Sequence, residues 1–405
     1  MYFEGAIDAP LTWQDPYPLY ARLLAAEGLV ACRKPTIGVR RGLAVARHAE
    51  VSEVFKDVER FRNDPHAVPG AGKSFADRAF APRLFRAFQR TMLGVDGSEH
   101  KRLRGLASRA FTPARVRSLE DQIRAIVDDL LDAALAAGRF DFMTALALPL
   151  PLRIIAEMLG VEERERAEFH RLLGRTIGSE TTLQMLARAP AMLRMVRFFD
   201  RLLARKRSEP GDDLTSALIA AEDEGDKLSA EELLGTVFLL LFAGHETTVN
   251  LIGNGTFALL THPEQHERLR AEPSLIPTAV EEMLRFSSPA QVIQVRHVVE
   301  DCELGGHALK TGDVLVPLVG AANRDPAAFD QPARFDVGRS PNKHLAFGGG
   351  PHFCLGAHLS RIEGALAFER IVERLPRLVL DVEPSAIRWR TGALHGLTAL
   401  PVRAE

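Results

Sequence analysis

The stretch Phe347-Gly-Gly-Gly-Pro-His-Phe-Cys354-Leu-Gly356 places one cysteine among four glycines, directly before an amphipathic segment from Leu359 to Leu375 that predicts a helix. Glycine allows backbone to come close to something flat and bulky. At a helix N-terminus, the positive end of the dipole and the backbone N–H groups stabilise a thiolate. An isolated cysteine is most often a small buried hydrophobe, but these neighbours favour Cys354 as an anionic ligand.

A second stretch, Leu239-Leu-Leu-Phe-Ala-Gly-His-Glu-Thr-Thr-Val249, introduces polar side chains into the most apolar part of the chain. Glu246 and Thr247 have two interpretations, one structural and one functional. The structural one is that a threonine hydroxyl in a helix often bonds back to the preceding turn. Gly244 costs about 1 kcal/mol relative to alanine in mid-helix, which favours a functional reason and predicts a local opening of the helix.

The remaining periodicity predicts a mainly α protein with a small β region. Ser229 and Glu232 are spaced as a capping box at the start of the apolar helix. Residues 61–93 and 323–344 show little periodicity and are predicted to be irregular. A first helix is predicted to begin at Tyr17. Further helices are predicted over 116–137, 150–159, 163–173, 190–207, 214–222, 230–260, 262–272 and 276–285. Strands are predicted over 292–299, 302–304 and 314–318.

The composition describes an ordinary globular protein. The chain has 405 residues, is 46% hydrophobic and carries a formal net charge of -2, so nothing in it suggests nucleic-acid binding. No linker separates periodic regions, and we predict a single domain over 1–405. The apolar run 233–244 is shorter than the roughly 20 residues that span a bilayer, and residues 1–10 read as neither a signal peptide nor an anchor. We therefore expect a soluble cytoplasmic protein with no membrane association.

The three cysteines are far apart and odd in number. They provide neither a disulfide framework nor a Cys-x-x-Cys metal site. Cys32 and Cys302 lack the setting of Cys354 and are interpreted as structural. Any cysteine chemistry must therefore come from one thiol.

Together these stretches resemble the cytochrome P-450 family. Its haem-binding signature, F-G-x-G-x-H-x-C-x-G, matches residues 347–356 at every defined position, and its A-G-x-[DE]-T pattern matches residues 243–247. The resemblance implies the cytochrome P-450 fold, with haem b (heme b, iron protoporphyrin IX) held between the long central helix and the cysteine loop. It covers essentially the whole chain.

The resemblance also implies residue roles. Cys354 is the axial ligand, and Glu246 and Thr247 serve oxygen binding and proton delivery. The haem propionates are bound by basic residues, which are His100, Arg104, Arg296 and His352. A structural pair, Glu282 and Arg285, is expected to be joined by Arg334 from the later coil.

The implied function is that of a haem-thiolate monooxygenase. It uses O2 and two electrons from a ferredoxin or flavodoxin with its reductase to hydroxylate or epoxidise a hydrophobic small molecule of terpenoid, fatty acid, steroid or polyketide type. A monomer is expected, with ferredoxin docking near Arg102, Arg109 and Arg361. The alternatives are a peroxygenase, a haem-thiolate enzyme that inserts no oxygen, and a non-catalytic haem protein. Substrate contacts are expected from 61–93, 239–247, 290–295 and 392–395.

Overall fold

The computed structural model describes residues 14–36, 39–71, 83–176, 182–220, 228–390 and 392–404. The first half of the chain forms α1 Tyr17–Ala25, β1 Val30–Thr36, β2 Val39–Val45, α2 His48–Lys56, β3 Phe61–Arg62, α3 Arg83–Gln89, α4 Gly97–Ala110, α5 Pro113–Arg117, α6 Glu120–Ala137, β4 Arg139–Asp141, α7 Pro149–Met158, α8 Glu163–Thr176 and α9 Thr182–Ser208.

The second half forms α10 Leu214–Ala220, α11 Ala230–Thr261, α12 Pro263–Ala271, α13 Ile276–Phe286, β5 Arg296–Val298, β6 Cys302–Leu304, β7 His307–Leu309, β8 Val314–Pro317, α14 Val319–Ala322, α15 Ala357–Arg374, β9 Leu378–Leu380 and β10 Pro401–Ala404. The prediction of a mainly α protein with a small β region is confirmed.

The chain divides into two compact units. The first takes in Met1–Gly72, Leu119–Leu150 and Glu246–Glu405, and the second takes in Lys73–Ser118 and Pro151–His245. The single domain over 1–405 stays a prediction, because a division by contacts does not test whether the two units act as one catalytic domain.

The main sheet of the first unit has the strand order β1-β2-β8-β5-β3. Its one parallel pair joins β2 to β8, with Leu43 opposite Leu315. The apolar side chains of this sheet pack with those of α2 in a core of buried residues that includes Val54, Phe55 and Leu315. This core supports the N-terminal side of the cysteine loop.

Within the first unit, α13, α15 and the part of α11 that follows His245 pack closely through glycines. A Cβ on Gly364 of α15 would lie 3.2 Å from both Leu251 of α11 and Val280 of α13. A Cβ on Gly255 of α11 would lie 2.5 Å from Phe368. The small residues therefore allow the helix that follows the cysteine loop to lie directly on its neighbours.

The long helix α11 begins at the predicted capping box. The Ser229 N–H donates to Glu232 Oε2 at 2.6 Å, and the Glu232 N–H donates to Ser229 Oγ at 3.2 Å. By length and composition alone, α11 is the one helix in the described part of the chain that could cross a membrane, yet 67% of its most apolar window is buried inside the protein. Such burial is typical of a core helix.

Three details differ from the sequence predictions. The strand predicted over 292–299 shortens to β5 because Gln294 has a φ of 32°, which interrupts an extended backbone. Part of the irregular segment 61–93 is helix α3, and residues 72–82 lie outside the described residues. The helix predicted from Pro190 begins earlier, at Thr182. The helix predicted over 214–222 is present from Leu214 to Ala220, and residues 221 and 222 lie outside the described residues.

Candidate active site

The cysteine loop is held by its own backbone. The Cys354 N–H donates to Phe347 O at 2.9 Å, and the Gly348 N–H donates to Leu345 O at 2.8 Å. Cys354 itself is exposed and lies three residues before α15. The hydrogen bonds therefore fix the backbone of the loop while leaving the thiol accessible.

Glycine is required in this loop for two reasons. Gly348 and Gly350 have φ values of 70° and 62°, in the region that side chains disfavour. In addition, a Cβ on Gly350 would lie 2.2 Å from the carbonyl oxygen of Phe55 in α2. The loop thus rests directly on α2, a contact that the glycine pattern did not predict.

Glu246, the acidic residue within 239–249, forms an ion pair with Arg390. Glu246 Oε1 lies 3.4 Å from Arg390 Nη1, and the Glu246 side chain is only 15% exposed. Burial raises the pKa of this carboxyl, and the charge and hydrogen bond of Arg390 offset only part of that increase. A carboxyl of this kind binds a proton at higher pH than an exposed glutamate does.

Thr247 follows Glu246 and is half-buried. The predicted local opening at Gly244 is wrong, because residues 230–261 form one continuous helix. Gly244 nevertheless leaves open space beside the helix, since a Cβ there would meet only Ile155, at 4.0 Å.

Arg296 is a buried cation on β5. It is 1% exposed, donates to Gln294 O at 3.1 Å and to Asn63 Oδ1, and lies over the Phe55 ring with a distance of 5.6 Å to the centroid. These hydrogen bonds hold the guanidinium in a fixed orientation inside the protein.

The other predicted propionate residues lie on two elements. His352 ends a 3-10 turn, Gly350–His352, and is half-buried in the unit that also contains Cys354. His100 and Arg104 lie one turn apart on α4, in the second unit, where His100 is 3% exposed and Arg104 is half-buried. Their helical spacing is as predicted.

One structural residue was assigned wrongly from the sequence. Glu282 pairs with Arg285 at 2.8 Å, both fully buried, but the additional arginine is Arg339 and not Arg334. The guanidinium of Arg334 reaches only Gln331 Oε1, at 3.5 Å, while its backbone carbonyl accepts from Arg285 at 3.1 Å. Both arginines belong to the same aperiodic coil, so spacing alone does not distinguish them.

Two of the arginines expected to meet a ferredoxin are engaged within the protein. Arg102 is ion-paired with Glu232, and Arg361 with Glu281. Arg109 is exposed at the end of α4. The cationic character expected at the first two positions is therefore largely neutralised.

Comparisons with known proteins agree with the site. A family model described as Cytochrome P450 matches residues 188–385. The cytochrome P450 monooxygenase PikC of Streptomyces venezuelae is 41% identical over 400 residues, which cover 96% of this chain and 91% of that protein. Cytochrome P450 107B1 of Saccharopolyspora erythraea is 42% identical over 357 residues, which cover 86% of this chain and 87% of that protein. The chain belongs to the cytochrome P450 family.

A solved structure confirms the cytochrome P450 fold. The structure of myxobacterial cytochrome P450 CYP267B1 with myristic acid has a TM-score of 0.89 and 37% identity, and the match covers 98% of each chain. Cytochromes P450 use haem with a cysteine thiolate as axial ligand, so the predicted cofactor is confirmed. The protein is a monooxygenase, an oxidoreductase that acts on hydrophobic small molecules, as predicted.

The residues of this cytochrome P450 fit haem. The thiol stands in a glycine loop whose close approach to α2 leaves no room for a side chain at Gly350. A buried cation such as Arg296 has the charge that a haem propionate requires. Among the described residues, no three His, Cys, Asp or Glu side chains are grouped to hold a metal ion.

Proposed function

We propose that Cys354 is the thiolate that holds the haem iron and that the whole chain, 1–405, acts as one catalytic domain. The observation that carries this proposal is the loop geometry: an exposed thiol on backbone fixed by the Phe347 carbonyl, with Gly350 against α2. Arg296 and His352 would bind propionates, together with His100 and Arg104 of α4.

When bound, the haem supplies a redox-active iron that activates O2, and thiolate ligation favours O–O cleavage. The overall reaction takes O2, two electrons and two protons, inserts one oxygen atom into the substrate and releases the other as water. Glu246 would hold a transferable proton on its carboxyl, since burial raises its pKa, and Arg390 orients that carboxyl. The Thr247 hydroxyl would pass the proton inward.

We infer a substrate that is large and apolar. Relatives at 38–41% identity are named for polyketide biosynthesis and for vitamin D(3) 25-hydroxylation, and a solved neighbour, CYP109E1, is described with testosterone. We propose that electrons come from a ferredoxin or flavodoxin with its reductase, and that the enzyme is cytoplasmic and monomeric. The substrate class is tested by screening polyketides, steroids and fatty acids for a spin-state change of the haem spectrum.

The ligand assignment is tested with carbon monoxide. Cys354→Ala is expected to lose the strongly red-shifted carbon monoxide complex of thiolate haem, whereas Cys302→Ala, at a half-buried cysteine on β6, keeps it. A red-shifted complex in Cys354→Ala would show that the assignment is wrong.

The proton route is tested with Thr247→Ala, which is expected to consume reductant, release more peroxide and form less product. Thr248→Ala, a buried neighbour on the same helix, controls for damage to α11. Unchanged product yield in Thr247→Ala would contradict the assigned role. Oxygen isotope incorporation into product separates the monooxygenase from the non-inserting alternative.

A further inference from the structure

One carboxylate bridges the two sides of the cysteine loop. Glu281 of α13 accepts from His344 Nε2 at 3.0 Å, ten residues before Cys354. It also accepts from Arg361, through Nε at 2.6 Å and through Nη2 at 2.9 Å, seven residues after Cys354. The segment from His344 to Arg361 is therefore closed by a side chain that lies outside it.

The contact with His344 continues into the loop backbone. The Ala346 N–H donates to His344 Nδ1 at 3.2 Å, so Nδ1 is the accepting nitrogen. In the neutral ring the other nitrogen then carries the hydrogen, and Nε2–H donates to Glu281. The His344 side chain is only 3% exposed. The carboxylate thus determines the tautomer of a buried ring that holds the backbone leading to Phe347.

The contact of Glu281 with Arg361 also leads to Phe347, from the C-terminal side of the loop. Both nitrogens of the guanidinium edge bind Glu281, which fixes the plane of the group. The guanidinium carbon lies 4.5 Å from the centroid of the Phe347 ring. Phe347 in turn accepts the Cys354 N–H at its carbonyl. Two routes therefore run from Glu281 to the residue that holds the Cys354 backbone.

We propose that Glu281 is a positioning residue for the Cys354 thiolate, acting through His344 and through Arg361 on Phe347. The proposal rests on the assignment of Cys354 as ligand. The proposed role of Glu281 differs from that of its neighbour Glu282. The Glu282 carboxylate binds Arg285, Arg339 and the Asp336 N–H and so fixes the coil that precedes the cysteine loop. Two consecutive glutamates of α13 thus hold different segments of the chain.

The test uses the reduced holoenzyme with carbon monoxide. Glu281→Gln and Glu281→Ala are expected to convert at least half of the red-shifted thiolate complex to the less shifted form of a displaced or protonated thiol. Transfer of haem to apomyoglobin is expected to accelerate about tenfold, the effect of losing one charged hydrogen bond. Glu369→Gln is the matched control, because Glu369 lies on α15 and pairs with Arg124 at 3.0 Å, away from the loop.

Global unfolding in urea is measured alongside, since a merely structural role would lower the midpoint without changing the thiolate fraction. A wild-type thiolate fraction and haem-transfer rate in Glu281→Ala would overturn the proposal. If Glu281→Ala does not fold, His344→Phe and Arg361→Gln decide: each is expected to lower the thiolate fraction, and wild-type values in both would overturn it. Absence of the thiolate complex in the wild-type enzyme would instead refute the ligand assignment itself.

Discussion

Arg339 Nε lies 3.1 Å from Glu282 Oε2, and this ion pair ties the coil before the cysteine loop to α13. The Glu282 side chain is fully buried and that of Arg339 is 11% exposed. The same guanidinium donates to Asp330 O at 2.7 Å and to Arg334 O at 3.1 Å. With a further bond to Gln331 O at 3.2 Å, one arginine satisfies a buried carboxylate and three backbone carbonyls of a segment that has no helix or strand.

Removing this arginine is expected to be costly. Arg339→Gln should lower the free energy of unfolding by about 2 kcal/mol, because it removes one of the two arginines that bind a buried carboxylate. Arg334→Gln should change it by less than about 0.5 kcal/mol, since the backbone carbonyl of Arg334 makes the contacts that matter. Urea unfolding of both variants measures the difference, and equal losses would contradict the assignment of Arg339.

Adding a methyl group to the cysteine loop separates steric from conformational effects. Gly350→Ala should cost roughly 3 kcal/mol and lower haem content, because the positive φ is strained and the new Cβ meets the Phe55 carbonyl. Gly306→Ala, in the turn between β6 and β7, also has a positive φ but nothing within 4 Å, and should cost roughly 1 kcal/mol. Similar losses of unfolding free energy and haem in the two variants would show that contact with α2 is unimportant.

Glu363 of α15 should make the stability depend on pH. Burial raises its pKa from 4.5 to about 8, and Oε2 has no hydrogen-bond partner among the described residues. Since the folded pKa is the higher one, its favourable contribution is complete below pH 4.5 and is lost as the pH rises through about 8. Each pKa unit corresponds to about 1.4 kcal/mol.

Glu363→Gln cannot ionise and should therefore gain stability relative to the wild type as the pH rises. The comparison is the difference in Tm between about pH 5 and about pH 9. Glu383→Gln, at an exposed glutamate, should follow the wild-type profile. A parallel profile for Glu363→Gln and the wild type would show that Glu363 is not neutral in the folded protein at neutral pH.

Arg390 should adjust the acidity of Glu246. Burial raises the pKa of Glu246 and Arg390 opposes it, so Arg390→Gln leaves burial unopposed and raises the pKa further. The limb of the pH–rate profile that belongs to Glu246 should then move to higher pH. Arg388→Gln, an exposed neighbour, should leave the profile unchanged. An unshifted limb in Arg390→Gln would contradict proton transfer through Glu246.

Features contained in one contiguous stretch could be predicted from the sequence. The helix predicted over 276–285 is α13, Ile276–Phe286, because its apolar residues repeat with the helical period. The glycine loop around Cys354 and the capping box at Ser229 are also local patterns. Strands β1 and β2 were missed, and the parallel pairing of β2 with β8 joins residues that lie far apart in the sequence.

The contacts that organise the site are mostly of long range. Arg339 lies 57 residues from Glu282, His344 lies 63 residues from Glu281, and Arg390 lies 144 residues from Glu246. Spacing along the chain does not encode such pairs, and many arginines compete for each carboxylate. The sequence therefore predicts candidate residues for the chemistry but not the ion pairs that hold them.

The parallel pairing of β2 with β8 also constrains when the fold can form. Leu43 and Leu315 are neighbours in the sheet, so the ribosome must add the whole intervening chain before the two strands can meet. At ordinary translation rates that interval is about 15 to 50 seconds. During this time the hairpin of β1 and β2 has an unpaired edge, which makes the nascent N-terminal segment a natural client for chaperones.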